Sequence, residues 1–208
     1  MKLFYCFLIF SLFSVQFCLA QISFKIKAGA ARSKLGIGGI DSEERPVTTW
    51  YGGVATTFRM GKRFFFQPEL LYSKRGTNLQ QLYATGNPTL TRRFGYISMP
   101  LLLGWHPFKK MSLLLGAEPG YMVWEHKPRN DYYDHTLEDV DRYFNVDVDL
   151  GLAYQPLPRW TVEVRGLVGM VWLYEEWGQS RTSSYTTGKY VGHHLMMQFG
   201  LSYDLKSK

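Results

Sequence analysis

Acidic and basic side chains recur in this sequence at intervals of two residues. Asp147 and Asp149 are separated by one residue, and so are Glu163 and Arg165. Two neighbouring carboxylates could perform general acid–base catalysis, one donating and one accepting a proton. The alternative is a buried charge network in which opposite charges offset the cost of desolvation. We predict the charge network, because nothing else in the sequence completes a catalytic set.

The second pattern that could support chemistry is a set of histidines close to acidic residues. Segment 125–142 carries His126 and His135 among several acids, a set that could hold a hard cation. It lacks the glycine-centred spacing of a calcium loop, so a solvated acidic loop is the favoured interpretation. His193 and His194 are adjacent and would face opposite sides of a strand. We therefore predict no metal site, no catalytic residues and no cofactor.

The elements that carry these residues are predicted to be strands, because apolar side chains recur with a period of two. In residues 144–154, apolar side chains occupy every even position, and polar or small ones occupy the odd positions. A strand places successive side chains on opposite faces. Eight such segments are predicted, at 22–32, 49–60, 63–76, 92–105, 111–124, 143–155, 159–175 and 190–206.

Strand length and connection length both favour a membrane barrel. Most segments exceed the five or six residues typical of soluble strands and match the roughly 9–11 residues of a tilted membrane strand. The connections alternate between short turns (61–62, 106–110, 155–158) and long polar loops (33–48, 77–91, 125–142, 176–189). Short turns at one end and long loops at the other are typical of outer-membrane barrels. A soluble up-and-down barrel could share this alternation.

Side-chain volume indicates which face points inward. An eight-stranded barrel has little interior room, and the apolar face is too bulky for it. We therefore predict an all-β fold: an eight-stranded antiparallel up-and-down transmembrane β-barrel with its apolar face towards lipid. The predicted lumen charge network comprises Lys25, Arg59, Glu69, Glu118, Asp147, Asp149, Glu163 and Arg165. The predicted interfacial aromatic girdles comprise Trp50, Tyr51, Phe64, Tyr96, Trp105, Trp124, Tyr143, Trp160, Trp172, Tyr174 and Tyr203.

The first twenty residues have the composition of a secretory signal peptide. Lys2 is their only charge, an apolar run follows, and Ala20 stands at the expected cleavage site. An uncleaved anchor is the alternative, but the apolar run is at the lower edge of a spanning length. We expect residues 1–20 to be removed, which leaves 21–208 as the barrel domain. Both cysteines of the chain lie in the removed segment.

The chain is basic, with a formal net charge of +7. Such a balance can indicate nucleic-acid binding, but a signal peptide argues against that partner. The predicted short turns and the strand residues directly after them carry bases and no acid: Lys62, Arg63, Lys109, Lys110 and Arg159. We predict that they form a basic rim at the periplasmic end. This rim could contact anionic phospholipid headgroups or an acidic partner, and a solvated rim is the alternative.

Four strand segments carry motifs of a known family. They are QPELLYSKRG (67–76), GYISMPLLLGW (95–105), GAEPGYMV (116–123) and VDLGLAY (148–154). In order, they resemble the third to sixth strands of the outer-membrane β-barrel family of the Bacteroidota, the PorT-like group. The resemblance implies an OmpA-like eight-stranded barrel in the cell outer membrane, with both termini periplasmic and no shared enzymatic residues. The chain departs from many outer-membrane strands at its end, where Asp-Leu-Lys-Ser-Lys follows Tyr203.

These observations favour a non-enzymatic outer-membrane barrel that is a structural or accessory subunit of a membrane complex, with its lumen closed by side chains. One alternative, implied by the PorT-like resemblance, is a docking component of a protein secretion or outer-membrane assembly machinery. Another is an outer-membrane enzyme whose long loops form the site. The expected partners are outer-membrane lipid and other outer-membrane proteins of a multi-subunit complex, and no nucleic acid.

Overall fold

The structure is a computed structural model that describes residues 22–37, 42–81, 89–126, 143–170, 175–177 and 189–205. Within these ranges it contains ten strands: β1 (Ile22–Ile37), β2 (Ser42–Met60), β3 (Phe64–Gln81), β4 (Thr89–Ser98), β5 (Leu101–Phe108), β6 (Met111–His126), β7 (Phe144–Leu157), β8 (Trp160–Gly169), β9 (Glu175–Trp177) and β10 (Lys189–Asp204). Among the described residues, no helix is long and apolar enough to cross a membrane.

The ten strands form eight staves, a stave being one barrel-length run of strand. β4 and β5 both pair with β3 and β6, so they form one stave. β8 and β9 both pair with β10 and form another. Each stave pairs antiparallel with its neighbour in sequence, and β1 pairs with β10 to close the ring. The predicted eight-stranded antiparallel up-and-down barrel is confirmed.

Proline interrupts the fourth stave at Met99–Pro100, where a single strand was predicted. Proline has no backbone N–H to donate to the ladder. Neighbouring bonds maintain the pairing here: the Met99 N–H donates to the Pro119 carbonyl at 2.8 Å, and the Glu69 N–H donates to the Pro100 carbonyl at 2.9 Å. The stave therefore continues from β4 into β5 despite the missing donor.

The apolar face of the barrel points outward, as the sequence predicts. On β7, Leu150 is 63% exposed whereas its neighbour Asp149 is 0% exposed. The same alternation runs along β5 to β8, where exposed and buried residues succeed one another. In a soluble barrel the apolar side chains would occupy the interior. An apolar outer wall on a closed ring is the arrangement that hydrocarbon requires, because every strand is paired and no polar edge meets lipid.

The lumen also contains apolar layers, which the prediction of a small and polar interior missed. Near the short turns, Phe65, Leu102, Leu114 and Ala153 pack together. Further along the barrel, Ala31, Tyr51, Leu71, Leu167 and Met196 form a second cluster. Glycines make room for the rings: a Cβ added to Gly104 would collide with the Phe65 ring, and one added to Gly200 would collide with the Tyr51 hydroxyl. The lumen is packed with both charged and apolar side chains.

The predicted aromatic girdles are correct only in part. Among their members, Trp50, Phe64, Trp105, Tyr143 and Trp160 face outward and are 39–56% exposed. The prediction is wrong for Tyr51 and Tyr96, which lie in the lumen and are each 1% exposed. Tyr51 follows the outward-facing Trp50, and adjacent strand residues face opposite sides. Trp172 and Tyr174 lie outside the described residues.

Candidate functional site: the charged lumen and its basic end

Arg165 is the centre of a network of charged side chains that crosses the lumen. Its Nη1 donates to Glu69 Oε2 at 2.8 Å, and its Nη2 donates to Glu118 Oε2 at 3.3 Å and to Asp149 Oδ2. Arg165 lies on β8, whereas Glu69 lies on β3 and Glu118 on β6. All four side chains are 3% exposed or less. One guanidinium thus ties together staves from opposite walls of the barrel.

Arg75 holds the network on the side nearer the long loops. Its Nη1 donates to Asp147 Oδ2 at 2.6 Å, and its Nη2 donates to Glu118 Oε1 at 2.7 Å. Its guanidinium also lies over the Tyr96 ring, 4.6 Å from the centroid. Asn145 donates to the second oxygen of Asp147 at 2.6 Å. Glu118 therefore accepts a hydrogen bond from each of the two arginines, one on each carboxylate oxygen.

Lys27 completes the network on the side nearer the short turns. Its ammonium lies 2.6 Å from Glu69 Oε1 and 2.5 Å from Glu163 Oε1. Gln67 donates to the same Glu69 oxygen at 2.6 Å. Because charge-assisted hydrogen bonds are stronger than neutral ones, these contacts offset much of the cost of burying the carboxylates.

The structure brings together six of the eight side chains predicted for the lumen network: Glu69, Glu118, Asp147, Asp149, Glu163 and Arg165. Lys25 and Arg59 lie instead nearer the short turns, where they line a separate cavity. The sequence reasoning missed Lys27 and Arg75, the two other cations of the network. Both stand on the inward face, two residues from Lys25 and from Ser73 respectively, so the period of two was the signal that could have found them.

The network has little scope for acid–base chemistry on a substrate. Asp147 and Asp149, the carboxylates that could have formed a catalytic pair, are 1% and 0% exposed. Each accepts a hydrogen bond from an arginine, Arg75 or Arg165. Among the described residues, no group of three His, Cys, Asp or Glu side chains could hold a metal ion. The arrangement cross-braces the barrel and fills its cross-section.

Most of the predicted acidic loop and the side chains of the predicted histidine pair lie outside the described residues. Residues 127–142 lie outside the described ranges, including His135 and most of the acids. His193 and His194 lie on β10, but their side chains are likewise outside the description. His126, the last residue of β6, is exposed.

The basic side chains predicted for the rim gather at one end of the barrel, here called the short-turn end. Lys62, Arg63, Lys109, Lys110 and Arg159 are all exposed there. The same end holds the start of β1 and the end of β10, because the Asp204 N–H donates to the carbonyl of Arg159 at 2.8 Å and the Leu205 N–H donates to the Phe24 carbonyl at 2.8 Å. Arg159 donates to the Tyr203 hydroxyl at 3.1 Å, and this hydrogen bond raises the pKa of Arg159 above its ordinary value.

An aromatic cluster around Lys74 marks the other edge of the apolar wall. The Lys74 ammonium lies 5.3 Å from the Trp50 ring centroid and 5.8 Å from that of Trp124. The Trp124 indole N–H donates to the Tyr72 hydroxyl at 2.7 Å. From Phe64 to Lys74, ten residues at about 3.3 Å each and a tilt of about 40° span roughly 25 Å. This matches the roughly 25 Å apolar band of outer-membrane barrels.

Comparison with solved structures supports the fold. The crystal structure of Neisserial surface protein A aligns with a TM-score of 0.53 at 11% identity, over 88% of this chain and 98% of that one. OprG of Pseudomonas aeruginosa aligns with a TM-score of 0.48 at 12% identity, over 90% of this chain and 98% of that one. Ail of Yersinia pestis gives 0.47 at 12% identity, over 88% and 98%. At such low identity, the likeness to Neisserial surface protein A supports the fold alone.

Sequence comparison identifies the family. The search of curated proteins found no match. The profile of the family described as "Outer membrane protein beta-barrel domain" matches residues 19–207, which is nearly the whole chain. This match agrees with the closed ring, the apolar outer wall and the aromatic edges. The chain therefore belongs to the outer membrane protein β-barrel family, and it is located in the outer membrane.

Proposed function

We propose that the protein is a non-enzymatic structural or accessory subunit of an outer-membrane complex, with its lumen closed by side chains. The observation that carries this proposal is the Arg165 network, which joins opposite staves through buried side chains. Apolar layers on either side of it reinforce the block. We expect a barrel so filled to conduct no water, so its working surfaces would be the outer wall, the basic rim and the predicted long loops.

Single-channel recording tests the closed lumen. The purified protein is inserted into planar bilayers, and an open porin measured under the same conditions serves as the positive control. We expect no steady openings, because the ion pairs around Arg165 and Arg75 span the cross-section. Steady large openings of the wild-type protein would refute the proposal.

We infer that the short-turn end faces the periplasm and that both termini lie there. Outer-membrane barrels have short periplasmic turns and long extracellular loops, and the basic rim suits anionic phospholipid headgroups of the inner leaflet. The sequence after residue 20 contains no cysteine, so single cysteines can report orientation. A membrane-impermeant maleimide should label Ser184→Cys, in the predicted loop 176–189, on intact cells, and Lys110→Cys only after lysis. Labelling of Lys110→Cys on intact cells would show that the short-turn end faces the outside of the cell.

We also propose that residues 1–20 are a signal peptide cleaved after Ala20. The short apolar run behind Lys2 supports this assignment. Intact-mass measurement of the protein purified from outer membranes should give a chain that starts at Gln21. A mass that retains the apolar segment would contradict cleavage.

A docking role in protein secretion or outer-membrane assembly is the second candidate function. It is supported by the PorT-like motifs at 67–76 and 95–105. Affinity purification of the tagged protein from native membranes, followed by mass spectrometry, separates the two candidates. A stoichiometric secretion or assembly component would favour docking. Recovery with other outer-membrane barrels alone would favour the accessory subunit.

A further inference from the structure

A separate cavity lies inside the barrel, between the charge network and the short-turn end. Its cationic lining comes from four side chains: Lys25, Arg59, Lys109 and Lys110. Two carboxylates also line it, Glu163 and Asp204. Glu163 already pairs with Lys27 at 2.5 Å. Positive charge therefore exceeds negative charge around this space.

The size of the cavity suits a small anion. Its volume is about 60 Å³, and roughly 10–15 Å³ is enough to hold one water molecule. The space thus corresponds to roughly four to six water-sized spheres, which leaves room for a small anion with four oxygens. Hydroxyl groups of Ser23, Thr161 and Ser202 line the wall and add neutral hydrogen-bond donors. Phe65 and Leu114 line the same cavity and belong to the apolar layer beside the network.

A groove at the short-turn end adjoins the cavity. The groove has a volume of about 560 Å³ and shares Arg59, His106, Lys109 and Gln155 with the cavity lining. Lys62 adds a further cation to the groove. A concave site lined by charges of one sign raises the local concentration of the opposite ion. The positive charge of the groove thus attracts anions towards the cavity.

We propose that this cavity is a binding site for one tetrahedral oxyanion, a phosphate group. The cations approach from β1, from β2 and from the turn between β5 and β6. Charges that converge from three directions suit an ion with oxygens on several sides better than a planar carboxylate. The phosphate could be the free ion or the headgroup phosphate of a phospholipid. The proposal does not depend on which side of the membrane the short-turn end faces.

Calorimetric titration of the detergent-solubilised protein with inorganic phosphate tests the site. We expect saturable binding of one phosphate at low ionic strength. The double variant Lys25→Gln/Lys110→Gln, which removes two lining cations, should bind phosphate at least tenfold more weakly. The matched control is Arg63→Gln/Arg159→Gln, which removes two exposed charges at the same end without touching the cavity lining. The control should stay within twofold of wild type.

Three results would overturn the site: no saturable binding by wild type, equal loss in both double variants, or unchanged binding in the Lys25→Gln/Lys110→Gln variant. Retention of the folded band on unheated electrophoresis gels shows that each variant forms the barrel. Dihexanoyl-phosphatidylglycerol provides the second arm. Displacement of inorganic phosphate by this lipid supports a site that admits a headgroup phosphate. Failure to displace it supports a site for the free ion.

Discussion

Replacing Arg165 by methionine tests the contribution of the charge network to stability. Methionine keeps much of the side-chain volume but removes the charge that contacts three carboxylates. Glu69 would keep its 2.6 Å contact with Lys27, and Glu118 would keep its 2.7 Å contact with Arg75. Asp149 would lose the cation that contacts it. The main cost is therefore one buried carboxylate without a partner, for which about 3–5 kcal/mol is typical.

Urea unfolding in detergent, followed by tryptophan fluorescence, measures this cost. With an m value near 2 kcal/mol/M, a loss of about 4 kcal/mol lowers the midpoint by about 2 M. Adding Asp149→Asn to Arg165→Met should restore about 1–3 kcal/mol, because it removes the unpaired charge. Arg159→Met, at an exposed turn position, should leave the midpoint unchanged. If Arg165→Met unfolds within 0.5 M of wild type, about 1 kcal/mol, the cross-brace contributes little and the reasoning fails.

Two further substitutions test the packing of the lumen and the orientation of the wall. Gly200→Ala should lower the free energy of unfolding by about 1–3 kcal/mol, because the added Cβ would collide with the Tyr51 hydroxyl. Gly52→Ala should lower it less, because the atom nearest to the added Cβ is 3.4 Å away. Equal urea midpoints for the two variants would contradict the close packing. Leu150→Arg on the outer wall should cost about 2–4 kcal/mol in lipid vesicles if it lies near the midplane, and more than Leu150→Ala. If the arginine variant is the more stable of the two in vesicles, the wall does not face hydrocarbon there.

The membrane-spanning part of the fold could be predicted because lipid makes its sequence alternate. Between Phe64 and Lys74, outward residues meet hydrocarbon and inward residues meet the packed lumen, so the two faces differ in chemistry. Beyond this span the alternation stops, because residues 42–48 and 77–81 are mostly polar. There β2 begins at Ser42 rather than at 49, and β3 continues to Gln81 rather than stopping at 76. These extensions pair with each other, but without an apolar stripe they leave no periodic signal.

The partners within the lumen could not be predicted from the sequence. Period two assigns Lys25 and Lys27 to the same inward face, yet only Lys27 contacts carboxylates of the network. The two residues lie roughly 6.6 Å apart along the strand. The stagger of the strands in the barrel determines which of them reaches Glu69 on β3. That stagger is a property of all eight staves together, so no local pattern reveals it.

The aromatic errors have a different physical origin. Residue type and position near strand ends predict girdle positions for Tyr51 and Tyr96. Both occupy inward positions: Tyr51 packs against the Gly200 position, and Tyr96 lies beneath Arg75. Glycines on two staves make room for the Tyr51 ring: Gly29 on the neighbouring β1 and Gly200 on β10. The period of two is therefore a better guide than residue type to the face on which an aromatic side chain lies.

The charges of the interior are separated along the barrel axis. The described network contains five carboxylates and three cations, so it carries an acidic excess. The cavity beside it has the opposite excess, with four cations and two carboxylates, one of which, Glu163, belongs to both groups. Attraction between the two regions holds the cavity cations close to the network even when no anion is bound. A phosphate in the cavity would meet Lys25 and Arg59 on the strands, and Lys109 and Lys110, which belong to the rim as well. The affinity should therefore fall when lining cations are removed, as in Lys25→Gln/Lys110→Gln, and not when Arg63 and Arg159, which lie outside the lining, are neutralised.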